Sequence, residues 1–400
     1  MRAFLLFLII LFAAGTAGAQ EIFNFRLNGN GARSAGLGYA FTGVADDASA
    51  ISWNPAGLVQ LYQMEASVVG RMSAASGTVD GLRDVGITNW DVEAQSNFQF
   101  NFASFVVPFS LGGLDIVGGV AFRRMFDFSQ ELTQTIKTDG FSFNYLEQVR
   151  YSNVEGGINA IAPSLGIKIN DMFSVGVTAN ILTGAEDGDS SVEIDGLLDS
   201  ENSYSIDYSG LIIDIGVLAR LSEMISVGAT VSLPHDRKYT IVDIDGTDPG
   251  LGESTISAPM FYRVGVGFRP TDNLLIAADY NSRPISQIKL ESGATLADFD
   301  VPDVNSFHVG LEYLLGTETI IPIRLGYYTN PLGIKDVDKN EVVAGVITAG
   351  TGIALGNVIL DASIELSGYQ QTLDNTGPND ITFTEGDVFI TLGAVIHLGE

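Results

Sequence analysis

The chain contains no cysteine, and only three of its 400 residues are histidine. No disulfide can brace the fold, thiolate metal sites are excluded, and a histidine-based metal centre has little to draw on. Basic residues are also scarce: 20 Lys and Arg stand against 48 Asp and Glu, for a formal net charge of −28. Nothing in that balance would neutralise phosphates, so no nucleic-acid partner is expected. His235, His308 and His397 fall in separate segments and in no nucleophile motif. Paired carboxylates are too common in this composition to signal a glycosidase or protease. No catalytic residue, cofactor, metal or enzyme activity is therefore expected.

The abundant residues point elsewhere. Forty-six glycines, 23 phenylalanines and 13 tyrosines accompany a positive mean hydropathy, unusual in an acidic soluble protein. Lipid-facing strands with aromatic girdles have this composition. The acidic residues gather in stretches such as Glu186-Asp187-Gly188-Asp189 and Asp243 to Asp248, without EF-hand spacing. These read as solvated loops. At the N-terminus, Arg2, the apolar run Phe4 to Ala14 and the small-residue pattern Ala17-Gly18-Ala19 form a secretory signal, with cleavage expected before Gln20.

Hydrophobic periodicity sets the fold class. Phe173 to Ile181, Ile225 to Leu233 and Tyr262 to Arg269 alternate strictly, with apolar residues on one face and Gly, Ser, Thr, Asn or Arg on the other. The pattern predicts strands near 63–72, 96–109, 114–126, 157–168, 172–184, 206–221, 225–240, 257–270, 273–283, 305–315, 319–330, 342–355, 357–370 and 386–398. The uncharged run from Val342 to Leu360 is long enough for a membrane helix. It is divided by Gly356-Asn357 and rich in Val, Ile, Thr and Gly, so it reads as a hairpin. Short turns alternate with long polar connections, the asymmetry of an outer-membrane barrel. The expectation is all-β: a transmembrane antiparallel β-barrel of about 14 strands over residues 63–400, after a signal peptide (1–19) and an N-terminal plug (20–62). It would lie in a bacterial outer membrane, surrounded by its lipid, with both chain ends on the periplasmic side.

Alternation also assigns charges to the lumen. Arg263 and Arg269 oppose one apolar face, Arg324 and Glu312 two others, and Asp214, Arg220 and Asp279 follow the same rule. Lumenal arginines such as Arg263 and Arg324 would hold the plug through Asp46 and Asp47, bind a carboxylate headgroup, or pair with lumenal acids such as Glu312.

Residues 20–62 break the strand pattern. Asp46 or Asp47 is expected to cap a short helix through Ile51, and Asn54-Pro55 reads as an N-cap with proline at N1. Such a segment has no core of its own and must pack against something, most simply the barrel lumen. The segment contains Gly31-Ala32-Arg33, then Gly36-Leu37-Gly38-Tyr39-Ala40-Phe41, Ala45-Asp46-Asp47-Ala48-Ser49-Ala50 and Trp53-Asn54-Pro55-Ala56-Gly57. It resembles the N-terminal region of the long-chain fatty-acid transporter (FadL/TodX) family of hydrophobic-compound porins.

The resemblance implies a fourteen-stranded barrel with a hatch in its lumen, inserted by the barrel-assembly machinery. It implies passive uptake of a hydrophobic small-molecule ligand, such as a long-chain fatty acid, with exit through the wall beside a kinked strand. Gly118-Gly119, in the third predicted strand, is the candidate kink. The chain departs from the family at its end, His397-Leu398-Gly399-Glu400, where an aromatic residue is usual. The alternative is a secretion or scaffold barrel resembling the PorV shuttle of type IX secretion, whose loops would contact protein partners.

Overall fold

A computed structural model describes residues 29–80, 87–94, 96–138, 146–194, 196–250, 252–317, 319–374 and 380–398. The expected signal peptide and the terminal Gly399-Glu400 lie outside the described residues. Nineteen strand stretches form one antiparallel sheet. They are β1 (Met64–Asp80), β2 (Ile87–Ala94), β3 (Asn97–Leu111), β4 (Leu114–Asp127), β5 (Gln130–Thr138), β6 (Leu146–Lys168), β7 (Phe173–Ile194), β8 (Leu197–Arg220), β9 (Ile225–Ser232) and β10 (His235–Ile244). There follow β11 (Glu253–Ala258), β12 (Phe261–Thr271), β13 (Leu274–Arg283), β14 (Lys289–Leu290), β15 (Val304–Leu315), β16 (Ile321–Lys335), β17 (Glu341–Leu355), β18 (Val358–Asp374) and β19 (Ile381–Leu398).

These compose the 14 walls of a closed barrel, because five walls are interrupted once. Three interruptions contain a proline: Pro234 between β9 and β10, Pro259 between β11 and β12, and Pro284 between β13 and β14. Proline donates no ladder hydrogen bond. Closure is made by β1 and β19, in register from Met64↔Leu398 to Asp80↔Thr382. In hydrocarbon an open edge would cost several kcal/mol per unsatisfied backbone group, so this first-to-last ladder makes the barrel possible. The tight turns follow from their residues. Gly112 and Gly113 take φ of 61° and 83°, and Asn170 Oδ1 accepts from the amides of Met172 and Phe173 at 2.8 Å each.

The walls run further than the expected strands. Segments read as loops, including 185–205 and much of 127–156, continue as β5, β6, β7 and β8. Beyond the lipid both faces of a strand meet water or polar side chains, so the apolar alternation that marks a spanning strand disappears although the ladder continues. The expected loop at 284–304 carries its own small apolar cluster, with Ile285, Ile288 and Leu296 buried. It is tied to the end of β16 and the turn after it by Asp300, which accepts from Lys335 Nζ at 2.6 Å and Lys339 Nζ at 2.5 Å.

Residues 29–61 touch the inner face on all sides. They form two short helices, α1 (Ala32–Gly36) and α2 (Ala50–Trp53), then a 3-10 turn from Pro55 to Gln60. Their backbone lies against bare wall backbone because the facing wall residues are glycine. Gly176 and Gly216 are partners between β7 and β8, Gly228 and Gly265 between β9 and β12, and Gly310 and Gly326 between β15 and β16. A β-carbon at Gly166 would meet the Pro55 carbonyl oxygen at 2.9 Å, and one at Gly228 would collide with the Thr42 carbonyl oxygen.

Gly228→Ala should cost about 1–3 kcal/mol through overpacking and expose the bond after Arg33 to trypsin. Gly118→Ala, whose added carbon would meet Phe109 at an ordinary 3.4 Å, should do neither. Thermal unfolding in detergent and the digestion pattern check both; equal behaviour of the two variants would contradict the packing. The hydrogen bonds from Lys335 and Lys339 hold the Asp300 carboxyl down at about 2. A lowered carboxyl stabilises above its unfolded value and loses that contribution only as pH falls through about 2. Pepsin should therefore spare the exposed Phe299–Asp300 bond at pH ~4 and cut it near pH ~2, whereas Asp300→Asn should be cut at both. Identical digestion of the two proteins at pH ~4 would contradict the clamp.

Candidate functional site

The motif around Trp53 is a local device with long reach. Asn54 precedes Pro55 at the start of the 3-10 turn, and its Oδ1 accepts from the Ala56 amide at 3.2 Å. Its Nδ2 donates to the carbonyls of Thr42 and Val217, at 3.0 Å each. One side chain thus caps the turn, joins two parts of the N-terminal segment and fastens both to β8. Trp53 Nε1 donates to the Asn30 carbonyl at 2.9 Å, while Thr230 Oγ1 on β9 donates to the Trp53 carbonyl at 2.9 Å. The helix expected to be capped by Asp46 or Asp47 begins later, at Ala50. Asp47 Oδ1 instead accepts from the Ser49 amide at 2.8 Å. Burial pushes the Asp47 carboxyl up, opposed by Arg33.

A chain of charges ties the same segment to the opposite walls. Arg33 reaches Asp46 at 2.5 Å and Glu312 at 2.9 Å. Glu312 also takes Arg324 at 2.6 Å, and Arg324 takes Asp361 at 2.5 Å. On β12, Arg269 pairs with Asp46 at 2.7 Å. Carboxylates on the wall accept from segment amides: Asp279 from Phe41 at 3.0 Å and Thr42 at 2.7 Å, and Glu65 from Ala48 at 2.8 Å. Of the expected lumenal arginines, Arg269 meets Asp46. Arg263 donates to the Ser52 carbonyl at 3.2 Å and covers the Trp53 ring at 5.4 Å. Arg324 pairs with lumenal acids, one of which also holds Arg33. His308 does not bond Glu312; its Nδ1 lies 2.7 Å from the Gly38 carbonyl oxygen.

Above Trp53 lies a cavity of about 280 Å³, lined by residues that include Asn30, Tyr39, Trp53, Gln99, Arg123, Asp127, Arg263, Phe261, His308 and Phe389. It borders a break in the wall. The β3–β4 ladder runs from Leu111↔Leu114 to Phe102↔Arg123, and the next pairing on that seam among the described residues is Ala94↔Leu132, between β2 and β5. Register shifts face each other across the break. One on β3, opposite Val69 and Gly70, sets Asn101 out of register; the other, on β4, falls between Arg124 and Phe126. Bulges bend a strand and end its pairing. Polar groups that would be stranded here are partly met by side chains. The Gln99 amide bonds the Asp127 carboxylate, and Arg124 donates to the Gly156 carbonyl at 2.6 Å. Phe98 and Phe100, at the same height, point outward and are exposed. The N-terminal segment touches the break directly, since Asn101 Nδ2 donates to the Gly29 carbonyl at 3.1 Å.

The expected kink residues lie lower on the same wall. The ladder passes through Gly118 and Gly119 on both sides without a shift. Gly119 faces inward, where an added carbon would stand 3.3 Å from Ile51 Cδ1. Sequence reasoning missed Asn101, the bulge at Met125, and the buried Arg71, Arg123 and Glu365. Glu365 accepts from Tyr39 Oη at 2.7 Å and Tyr328 Oη at 2.9 Å and lies 3.2 Å from Arg71. Alternation within 357–370 does put Glu365 opposite Ile364 and Leu366, so the signal was present.

No family model matches the chain, and no curated protein matches it in sequence. Solved structures do. A Pseudomonas aeruginosa FadL homologue is 15% identical, covers 92% of this chain and 98% of its own, and superposes with a TM-score of 0.58. The Ralstonia pickettii toluene transporter TbuX is 13% identical, with coverage of 94% and 100% and a TM-score of 0.61. The Pseudomonas putida toluene transporter TodX is 11% identical, with coverage of 94% and 99% and a TM-score of 0.55. The chain has the fold of these barrels over nearly its whole length.

The charge chain makes a graded prediction. Arg324→Ala leaves Glu312 and Asp361 buried without that partner and should cost about 3–5 kcal/mol. Arg269→Ala, at a side chain 34% exposed, should cost under about 1 kcal/mol. Urea unfolding in detergent, followed by tryptophan fluorescence, separates the two; equal losses would contradict the assignment of Arg324 as the buried member.

Proposed function

We propose that this protein is an outer-membrane channel for passive uptake of hydrophobic small molecules, and that residues 29–61 are its hatch. The observation that carries the reading is the contact of the lumenal cavity with the broken β3–β4 seam at a height where the outer wall is apolar. Non-ladder backbone at membrane depth is tolerated where it lines a cavity, and here it would give a solute a sideways path to lipid. A sealed wall over a filled lumen would have favoured the scaffold alternative.

The likeness in fold to the FadL homologue and the toluene transporters supports the same reading. A long-chain fatty acid is one candidate solute. In this proposal Trp53, Asn54, Pro55, Ala56 and Gly57 anchor the hatch, with Gly31, Ala32, Arg33, Asp46 and Asp47 completing it. Glu312 and Arg324 fix it to the wall, and Asn101 and the bulge at Met125 form the exit, in place of Gly118 and Gly119. The driving force is burial of apolar surface, roughly 25 cal/mol per Å², and requires no energy source.

The absence of cysteine makes the test clean. Gln99→Cys combined with Asp127→Cys places thiols on opposite sides of the seam, where the native side chains bond. Joining them with a short reducible crosslinker in proteoliposomes should abolish uptake of a labelled apolar solute, and reductant should restore it. Unchanged uptake with the crosslink complete would remove the lateral route.

A further inference from the structure

The cavity over Trp53 carries charges of both signs. Arg71, Arg123, Arg263 and Arg283 share its lining with Asp127, Glu385 and Asp387. The protein supplies partners of its own. Arg71 pairs with Glu365 at 3.2 Å, and Arg123 stands 3.8 Å from Asp214. Asp127 takes Arg124 at 3.4 Å and the Gln99 amide, and Glu385 accepts from Tyr369 Oη at 2.9 Å. Arg263 lies in the field of Asp214 and Asp279. A solute of either net charge would meet its own sign on this lining and compete with pairs already made, after giving up its hydration. The cavity therefore selects against ions.

Uncharged polar groups are placed differently. Ser73, Asn97, Gln130, Asn330 and Ser367 line the cavity with part of their surface open, and their side chains make no hydrogen bond among the described residues. Ser73 and Asn97 are ladder partners of β1 and β3, next to the broken seam. Beside Trp53, Asn30 and Ser52 also border the cavity and are 1% and 3% exposed. Each keeps a side-chain oxygen without a partner among the described residues. A buried oxygen left unmet costs about 1–3 kcal/mol, and the complementary group is an O–H donor.

The floor is aromatic. Trp53 stacks on Tyr39 with ring centroids 5.4 Å apart and planes at 24°. Tyr39 meets Tyr328 edge-on at 5.5 Å, and Tyr328 stacks on His308 at 5.2 Å and 11°. A volume of about 280 Å³ sits at the small end of ligand pockets, which run from roughly 300 to 1,000 Å³, and suits one ring. Water satisfies the polar wall but gains nothing from the rings. A plain hydrocarbon gains from the rings and displaces water from polar groups it cannot bond. A sugar would use both surfaces but could not leave through a seam that opens on lipid.

We propose that this cavity selects uncharged, hydroxyl-bearing aromatic molecules, with the ring on the Trp53–Tyr39–Tyr328 floor and the hydroxyl on the wall beside Ser52 and Asn30. The proposal rests on the cavity being the solute route and narrows the solute class.

Trp53 reports on the site directly. The chain has two tryptophans, so Trp90→Phe leaves Trp53 as the sole emitter. The full-length barrel in detergent would be titrated with compounds of one size, at free aqueous concentrations fixed by dialysis. Benzyl alcohol should give a saturable change in Trp53 emission. Toluene, which keeps the ring and loses the hydroxyl, should bind about twofold to tenfold more weakly, the range for one neutral hydrogen bond. Cyclohexylmethanol, which keeps the hydroxyl and loses the aromatic face, should fall by a similar factor of about two to ten. Benzoate and benzylammonium should each bind about tenfold more weakly or worse. In Ser52→Ala the ratio of benzyl alcohol to toluene affinity should fall toward one, a change in selectivity that a general loosening of the fold would not produce.

Toluene binding as tightly as benzyl alcohol in the unmutated site would overturn the proposal, whatever Ser52→Ala does to folding. So would tighter binding of either ion, or saturable binding of glucose without benzyl alcohol. If toluene equals benzyl alcohol while proteoliposomes still take up toluene, the hydroxyl preference alone is removed. If they take up no apolar solute, the channel reading beneath it fails.

Discussion

The interior of this barrel depends on one close contact: the backbone of residues 36–56 rests on wall backbone with no side chain between. Inward-facing glycines on β6, β7, β8, β9, β12, β15, β16 and β17 make that possible. Close approach brings the segment's amides and carbonyls within reach of wall side chains, so Asp279, Glu65, Ser226 and Thr230 can satisfy them. A segment too short to own a core thereby acquires one, with Leu37, Phe41, Ile51 and Leu58 fully buried. Its upper surface, carrying Trp53 and Tyr39, becomes the floor of the cavity.

The same contact links the floor to the wall. Gly29 and Asn30 bond Asn101, the residue set out of register on β3, and β3 is where the ladder to β4 stops. The segment, the cavity and the open seam are thus one connected structure. A shift of residues 29–30 would alter the hydrogen bonding of the bulge, giving the N-terminal segment a physical handle on the broken seam.

What could be read from the sequence tracks where the membrane imposes a rule. The 14 walls were legible because lipid on one side and a polar lumen on the other force period-two alternation. Above the lipid the rule lapses, and the upper parts of β7 and β8 passed for acidic loops. Alternation put Arg324 and Glu312 inside, but not opposite one another; that needs the register of β15 and β16. Asn54-Pro55 was legible because an N-cap with proline at N1 is local chemistry. The bulges at Asn101 and Met125 were not. Each arises from a mismatch between two strands and leaves no mark on either one alone, whereas Gly118-Gly119 advertised a flexibility that the ladder absorbs.

Hydrophobic solutes should occupy the cavity over Trp53 and leave through the β3–β4 seam. Soaking crystals of the barrel with a brominated aromatic compound and locating bromine by anomalous scattering tests it most directly. Bromine peaks are expected above the Trp53 ring and between Gln99 and Asp127. Bromine confined to the outer lipid-facing surface, with the cavity and seam empty, would contradict it.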